Sequence, residues 1–275
     1  MPESCVIFVL NSAAGFYSIF FFMCRAYIHA KKMGIPFYIT HMRWPYTYQQ
    51  GWHDYFTTLT PFDRSKHRHT NAILCSHANM SGIPTYTLQA YVEAIREIYC
   101  LRPELLERVK TLRAQLGKDH VGLFVRRGDK LIWEAPYIPT TEIVAYLPPS
   151  VPIFLQTDDY TVVEEVQTLY PSRIILSTVP SSKRGSFHSR SHLNQAKPAA
   201  GTTPLLEKSP AQIKEETEEM LIGLHVVLSA PQSWTDQTSN VGRFLKLAAL
   251  ETTHIYPVDT PVDLTAEVCP AHCLA

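Results

Sequence analysis

Residues 121–130 read VGLFVRRGDK, an apolar run that ends in a cluster of charged side chains. A short, continuous apolar run is typical of a strand that is buried on both faces of a parallel sheet. The charged cluster would then lie at the carboxyl edge of the sheet, where open α/β folds bind their ligands. This stretch therefore predicts an α/β fold with a candidate site directly after one of its strands.

Polar clusters follow other predicted strands in the same way. The predicted strand 153–156 runs into Thr157-Asp158-Asp159, and Thr238-Ser239-Asn240 opens a helical pattern after a further strand. Near the amino terminus, the apolar residues 6–10 enter a turn of small residues at 11–15, and an amphipathic helical pattern follows. This alternation of strands and helices predicts an open α/β architecture.

The same alternation predicts two halves that are joined near residues 100–118. We expect an amino-terminal α/β domain over residues 1–110 and a second α/β domain over residues 111–256, followed by a tail at 257–275. Within the second domain, residues 181–209 are rich in Ser, Pro, Gly and Lys and poor in apolar residues. That composition predicts a mobile loop.

Composition and charge exclude several classes of protein. The 275 residues carry 25 Lys+Arg and 25 Asp+Glu, so the net charge is 0, which disfavours a nucleic-acid partner bound through its phosphates. The apolar run 13–23 ends at Arg25, short of the roughly 20 residues that a membrane span needs. No basic segment precedes the first apolar stretch, as a secretory signal would require. We therefore expect a cytoplasmic protein with no membrane span and no metal site.

Two clusters have both a functional and a structural interpretation. Arg126 and Arg127 could offer forked donors to an anion such as a diphosphate, with Asp129 holding one guanidinium, or they could form a solvated surface turn. Asp158 and Asp159 could bind a divalent ion, or they could cap the next helix and accept hydrogen bonds from neighbouring loops. Their isolation from other carboxylates favours the second interpretation.

Two further segments each have two possible interpretations. Thr238-Ser239-Asn240 could bind a phosphate at a helix start or serve as an ordinary N-cap. The aromatic segment 44–62 could be a sugar-stacking surface or a packed loop. The sequence contains neither Gly-x-Gly-x-x-Gly nor a P-loop, which excludes the usual dinucleotide and P-loop nucleotide sites.

Taken in order, residues 121–130, 154–159 and 238–243 resemble the three motifs of the inverting fucosyltransferases that have two Rossmann-like domains. The core α1,6-fucosyltransferases and the rhizobial nodulation fucosyltransferases are the most similar. Gly15-Phe16-Tyr17-Ser18 is similar to the first turn of that family, so the resemblance covers about residues 5–256. It implies a GT-B fold, in which two open Rossmann-like halves face a cleft and the second half binds the nucleotide sugar.

The resemblance implies that fucose is transferred from GDP-fucose to a glycan hydroxyl with inversion, without a metal and without a cofactor other than the donor. Arg126 would bind the donor diphosphate and stabilise it as it leaves, Asp129 would support that geometry, and Glu134 would be the catalytic base. The implied partners are a nucleotide sugar and a glycan acceptor. The residues implied to bind the donor are Gly15, Tyr17, Arg127, Lys130, Asp158, Asp159, His188, Arg190, Thr238, Ser239 and Arg243.

Two positions depart from the family pattern. Phe124 stands where the family has a histidine, and Gly223 stands where an aspartate is expected before Ser239, with Glu219 one helical turn earlier. Both family residues are associated with the nucleotide base. The alternatives are therefore a catalytically weakened nucleotide-sugar or glycan-binding protein on the same fold, or a glycosyltransferase that uses another donor.

Overall fold

The structure is a computed structural model, and it describes residues 4–66, 71–127, 137–183, 185, 208–249 and 253–259. The chain forms two compact units and passes from one to the other between Arg102 and Pro103. Helix α3 (Pro103–Leu116) packs against a helix of the second unit, so the division lies earlier than the boundary expected at residue 110. Both units contain a parallel sheet with helices, which confirms the predicted α/β class.

The first unit contains a four-stranded sheet in the order β3-β2-β1-β4, with all strands parallel. Val6 of β1 pairs with Phe37 of β2, and Ser4 of β1 pairs with Asn71 of β4. The elements of this unit are β1 (Ser4–Leu10), α1 (Phe16–Met33), β2 (Phe37–His41), a 3-10 helix (Gly51–Asp54), β3 (Thr60–Pro61), β4 (Asn71–Ser76) and α2 (Leu88–Ile98).

Helix α1 contains most of the apolar run near the amino terminus. Its phenylalanines are buried, and the helix ends at Gly34, which has a left-handed backbone with φ 66°. The Gly34 N–H donates to the Lys31 carbonyl at 3.2 Å, as is typical of a glycine at the end of a helix. Across the described part of the chain, every helix is too short or too polar to cross a bilayer.

The aromatic segment after β2 is a packed loop. Trp52 is stacked on Phe56 with ring centroids 3.9 Å apart, and both side chains are buried. Trp44 and Tyr55 are buried as well. Of the two interpretations of this segment, the structure therefore shows the packed loop, since these rings present no face to a sugar.

The second unit contains a five-stranded parallel sheet in the order β7-β6-β5-β8-β9. Strand β5 is buried over its whole length, as the continuous apolar run predicts. The further elements of this unit are β5 (Val121–Val125), α4 (Thr140–Val144), β6 (Ile153–Thr157), α5 (Thr161–Leu169), β7 (Ile175–Leu176), α6 (Pro210–Ser229), β8 (Gln232–Thr235), α7 (Asn240–Ala248) and β9 (His254–Pro257).

The strand order of the second sheet determines where its ligand site lies. The chain runs from β5 outward through β6 to β7 and then returns to the other side of β5 to form β8. The direction of the connections therefore reverses between β5 and β8. Ligands of open α/β sheets bind outside the carboxyl ends of the strands at such a reversal. The residues that follow β5 and β8 are therefore the candidates for binding a ligand.

Candidate active site

Arg126 follows β5 and is held by a carboxylate from the neighbouring strand. Its guanidinium forms an ion pair with Asp158, which follows β6, and Asp158 also accepts a 2.6 Å hydrogen bond from the Arg127 backbone N–H. The side chains of Arg126 and Asp158 are 14% and 8% exposed. A guanidinium is a planar fork of donors, so a carboxylate that fixes one side also fixes the direction in which the fork meets a further anion.

Arg127 points into the protein. Its Nη2 donates to the Ile138 carbonyl at 2.8 Å and to Thr140 Oγ1 at 3.2 Å, and its guanidinium lies over the Tyr137 ring, 4.6 Å from the centroid. The residue is only 7% exposed. These contacts fasten the chain at 137–140 to the end of β5, and the donor-binding role of Arg127 stays a prediction.

Asp159 hydrogen-bonds the first residue of α5, the helix that follows β6, from a position just before the N-cap Tyr160. Its carboxylate accepts hydrogen bonds from the Thr161 N–H at 3.0 Å and from Thr161 Oγ1 at 2.8 Å. For Asp158 and Asp159, the structure thus shows the second of the two interpretations, with one carboxylate on a neighbouring loop and the other at a helix start. Among the described residues, no group of three or more His, Cys, Asp or Glu side chains could hold a metal ion. Independence from metal stays a prediction.

Ser239 is the N-cap of α7. Its Oγ accepts a 3.1 Å hydrogen bond from the Gly242 N–H, and its own N–H donates to Asp236 Oδ2 at 3.1 Å. The side chain is buried, at 2% exposed. The ordinary N-cap interpretation is therefore the one that the contacts of Ser239 show, and its binding of a phosphate stays a prediction.

A second carboxylate occupies the rest of this turn. Asp259, two residues beyond β9, accepts hydrogen bonds from the Gln237 N–H at 2.8 Å, the Thr238 N–H at 3.0 Å and Thr238 Oγ1 at 2.8 Å. Gln237 and Thr238 precede the N-cap Ser239, so Asp259 binds the chain just before α7 and not the N–H groups of its first turn.

The turn and Arg126 lie at the same edge of one sheet. Strands β5 and β8 are neighbours, and Phe124 pairs with Thr235, so Arg126 and Asp236 both leave the sheet at its carboxyl edge. Their charges interact, since Arg126 lowers the pKa of Asp236. The segment after β5 and the turn after β8 therefore lie at the same edge of the sheet.

Asp236 is a buried carboxyl group that was not among the predicted site residues. Burial raises its pKa to about 6, and the charge of Asp259 adds to the rise, against the hydrogen bonds from Ser239. Its Oδ1 has no hydrogen-bond partner within the described ranges. The ionised form of Asp236 is therefore costly at neutral pH.

We expect the Asp236→Asn variant to resist unfolding better than the wild type at high pH. A folded-state pKa above the ordinary value means that Asp236 favours the folded state below pH 4 and loses this contribution as the pH rises through about 6. An amide stays neutral, so the free energy of unfolding of the variant relative to wild type should rise by about 2 kcal/mol between pH 4.5 and pH 8. Urea unfolding at the two values measures this.

Asp119→Asn is the matched control, because Asp119 is exposed in the same unit. It should show no such pH-dependent gain. An equal gain in both variants would mean that the burial of Asp236 is not its cause.

The two departures from the family pattern are both buried in the second unit. Phe124 is 4% exposed. A Cβ at Gly223 would overlap the Gln156 amide and stand 2.7 Å from Thr178 Oγ1. Thr178 Oγ1 also donates to Gln156 Oε1 at 2.8 Å, so the space beside Gly223 is filled from neighbouring elements. An aspartate there would require the Gln156 and Thr178 side chains to shift.

Three other predicted donor-binding residues lie within the described ranges. Tyr17 is 2% exposed and its hydroxyl lies 2.7 Å from that of Tyr99 in the core of the first unit, and its donor-binding role stays a prediction. Gly15 is the N-cap of α1, in the turn that follows β1. Arg243 lies in the first turn of α7, and its buried Nε has no hydrogen-bond partner among the described residues.

The remaining predicted site residues lie outside the described residues. They are the catalytic candidates Asp129 and Glu134 and the donor-binding candidates Lys130, His188 and Arg190. Their roles stay predictions.

Two acidic residues of this site were not predicted from the sequence. Asp236 directly follows a strand, so the rule that selected Asp158 would also have selected it. Asp259 lies about twenty residues from the turn that it binds and is recruited by the pairing of β8 with β9. No local signal in the sequence indicates that contact.

Comparison with solved structures identifies the fold. A crystal structure of the fucosyltransferase NodZ from Bradyrhizobium matches 90% of this chain and 94% of its own, with a TM-score of 0.59 and 15% identity. A crystal of NodZ α-1,6-fucosyltransferase soaked with GDP-fucose matches 88% and 92% of the two chains, with a TM-score of 0.54 and 15% identity. A mutant of Arabidopsis thaliana FUT1 in complex with GDP matches 97% and 72%, with a TM-score of 0.55 and 8% identity.

No protein-family model matches the sequence, and no curated protein gives a significant match. At identities of 8–16%, the structural likeness concerns the path of the chain and not the chemistry of its side chains. The resemblance found in the three sequence motifs is therefore confirmed for the fold. The chain has the fold of the fucosyltransferases.

Proposed function

We propose that the chain is a glycosyltransferase that transfers fucose from GDP-fucose to a hydroxyl group of a glycan, with inversion and without a metal ion. The observation that carries this proposal is the position of Arg126. It leaves the sheet where the connections reverse, and Asp158 fixes its guanidinium. A fixed, largely buried cation at this place is suited to an anionic ligand.

The reaction requires stabilisation of a leaving group. The acceptor hydroxyl attacks the anomeric carbon, the bond from that carbon to the phosphate oxygen breaks, and the negative charge collects on the nucleoside diphosphate. Arg126 would bind that charge, and because Asp158 already orients it, little reorganisation is needed as the charge grows. The hydroxyl proton passes to a base, for which Glu134 remains the candidate. A single displacement inverts the anomeric centre.

The donor is proposed on two grounds. The sequence motifs resemble those of enzymes that use GDP-fucose. The solved structures with a similar fold include one soaked with GDP-fucose and one co-crystallised with GDP. A glycan acceptor is proposed from the resemblance alone.

A donor screen tests the proposal. The protein is mixed with a panel of glycans and with GDP-fucose, GDP-mannose or a UDP-sugar, with and without chelator, and release of the nucleoside diphosphate is followed. We expect release from GDP-fucose only, unchanged by chelator. Release from a different donor would contradict the donor assignment, and release that chelator abolishes would contradict metal independence.

A second candidate function is a nucleotide-sugar or glycan-binding protein that has lost turnover. Two observations favour it. Asp259 occupies the N–H groups of Gln237 and Thr238 just before α7, and Gly223 supplies no acidic side chain where the family pattern has an aspartate. In the donor screen, this candidate predicts saturable binding of a nucleotide or glycan with no release from any donor.

A further inference from the structure

A second reversal of the strand connections lies in the first unit. The chain runs from β1 outward through β2 to β3 and then returns to the other side of β1 to form β4. Ligands of open α/β sheets bind outside the carboxyl ends of the strands at such a reversal. The residues that follow β1 and β4 therefore mark a second candidate site, which belongs to the first unit alone.

Three polar side chains meet at this reversal. Ser12 follows β1, His77 follows β4, and Ser18 lies in the first turn of α1. Ser12 Oγ is 3.3 Å from His77 Nδ1, and Ser18 Oγ is 3.3 Å from His77 Nε2. The imidazole is thus held between two hydroxyl groups, and we call Ser12, His77 and Ser18 the Ser–His–Ser trio.

The trio has a buried end and an accessible end. The His77 ring packs on the buried Phe22, with centroids 4.7 Å apart and planes inclined at 71°. Ser18 is 7% exposed, whereas Ser12 and His77 are half-buried. Ser12 Oγ also accepts a 3.1 Å hydrogen bond from the Ala14 N–H, which fixes the position of this oxygen. A ligand would therefore meet the trio at Ser12 and His77.

The hydrogen-bonding capacity of Ser12 depends on the imidazole. A neutral imidazole has one N–H donor and one bare nitrogen, so it donates to one serine and accepts from the other. When Nδ1 donates to Ser12, the Ser12 O–H is left to donate to a ligand. When Ser12 donates to Nδ1, one lone pair of its oxygen is left to accept.

Both tautomers of His77 are available. A backbone carbonyl or a carboxylate is the usual partner that fixes the tautomer of a histidine. Within the described part of the chain, the hydrogen bonds of the His77 ring go to the hydroxyls of Ser12 and Ser18 instead. The accessible end of the trio can therefore either donate a hydrogen bond or accept one, as a hydroxyl group itself does.

The trio is uncharged at neutral pH. Burial lowers the pKa of His77, so its ring is neutral at pH 7. Among the described residues, no charged side chain forms a hydrogen bond with a member of the trio. A phosphate prefers charged donors, as Arg126 provides at the sheet edge of the second unit. The trio is suited to an uncharged ligand that carries hydroxyl groups.

We propose that the Ser–His–Ser trio binds a hydroxyl group of an uncharged saccharide, the acceptor of the proposed transfer reaction. That this saccharide is the acceptor rests on the proposed function. The site itself rests on the contacts of the trio. Both contacts with the ring are at the long end of the hydrogen-bond range, so a ligand hydroxyl can replace either of them at little cost.

Calorimetric titration of the full chain tests the proposal. The ligands are neutral oligosaccharides of glucose, galactose, mannose or N-acetylglucosamine, and we expect the wild type to bind at least one of them saturably. His77→Phe keeps a ring beside Phe22 but removes both ring nitrogens, so it should bind that oligosaccharide about 10-fold more weakly. Ser12→Ala should weaken binding by a factor of about 3 to 10.

His77→Gln separates binding from packing. A glutamine amide has both a donor and an acceptor, so this variant should bind more tightly than His77→Phe, although phenylalanine is the closer match in packing. His29→Phe is the control, because His29 is also half-buried and also contacts a hydroxyl, that of Tyr86 at 2.9 Å, but lies near the other end of α1. It should leave the affinity unchanged.

The inference is overturned if no oligosaccharide binds, if Ser12→Ala and His77→Phe bind as tightly as the wild type, or if His77→Gln binds no better than His77→Phe. Ser12→Ala alters only the accessible end, so it keeps the test decisive if His77→Phe does not fold.

The transfer reaction tests the acceptor assignment separately. In Ser12→Ala, KM for the acceptor should rise while kcat and KM for GDP-fucose stay at wild-type values. Trio-dependent saccharide binding without fucose transfer would contradict the proposed function and support the site. Normal transfer with an unchanged acceptor KM in Ser12→Ala would overturn only this inference.

Discussion

Replacing Arg126 with alanine should lower the rate of fucose transfer by a factor of about 10² to 10³, the effect of removing one preorganised stabiliser of a developing negative charge. The loss should appear mainly in kcat, because the charge on the diphosphate grows as the bond to fucose breaks. Steady-state kinetics with GDP-fucose measures it. A wild-type rate in this variant would contradict the role of Arg126 on which the proposed function rests.

Three further variants control this experiment. Arg113→Ala removes an exposed arginine of α3 in the same unit and should leave the rate unchanged. Arg126→Lys keeps the charge without the planar fork and should recover only part of the rate. Asp158→Asn weakens the partner that orients Arg126, so its rate should lie between those of the wild type and Arg126→Ala.

Replacing Gly242 with alanine should destabilise the second unit more than the same change at Gly122 or Gly223, the other glycines of this unit whose surroundings are described and whose backbone is not left-handed. A Cβ at Gly242 would overlap the carbonyl oxygen of Asp236 and stand 2.7 Å from its carbonyl carbon. Backbone cannot yield as a flexible side chain does, so α7 must move away from the end of β8. We expect a loss of about 3 kcal/mol, at the upper end for overpacking. The unfolding midpoint should fall by roughly 6–12 °C.

Gly15→Ala is the matched control, since a Cβ at Gly15 meets nothing within 4 Å and its φ of −56° suits any residue. Differential scanning calorimetry of both variants measures the two unfolding midpoints. Equal midpoints would show that α7 is not packed against the Asp236 carbonyl as described.

The sequence was sufficient for the fold because the fold depends on local patterns. The buried run 121–125 and the turns after each strand repeat at α/β spacing, and the structure has parallel strands at those places. Arg126 and Asp158 were selected by the same rule, since polar residues after buried strands collect at one edge. Only the structure shows that the Arg127 guanidinium binds Ile138 and Thr140, because these contacts depend on how the chain folds after β5.

What the sequence by itself determined is the alternation of strands and helices, the closure of α1 at Gly34 and the charged residues at the strand ends, all set by neighbouring residues. Only the tertiary structure decided that Asp259 fills the turn at Thr238, that Tyr17 is buried against Tyr99, and that Ser12 and Ser18 meet at His77. These contacts join residues that are far apart along the chain. Strand order and burial determine such contacts, and burial sets the charge of the groups involved.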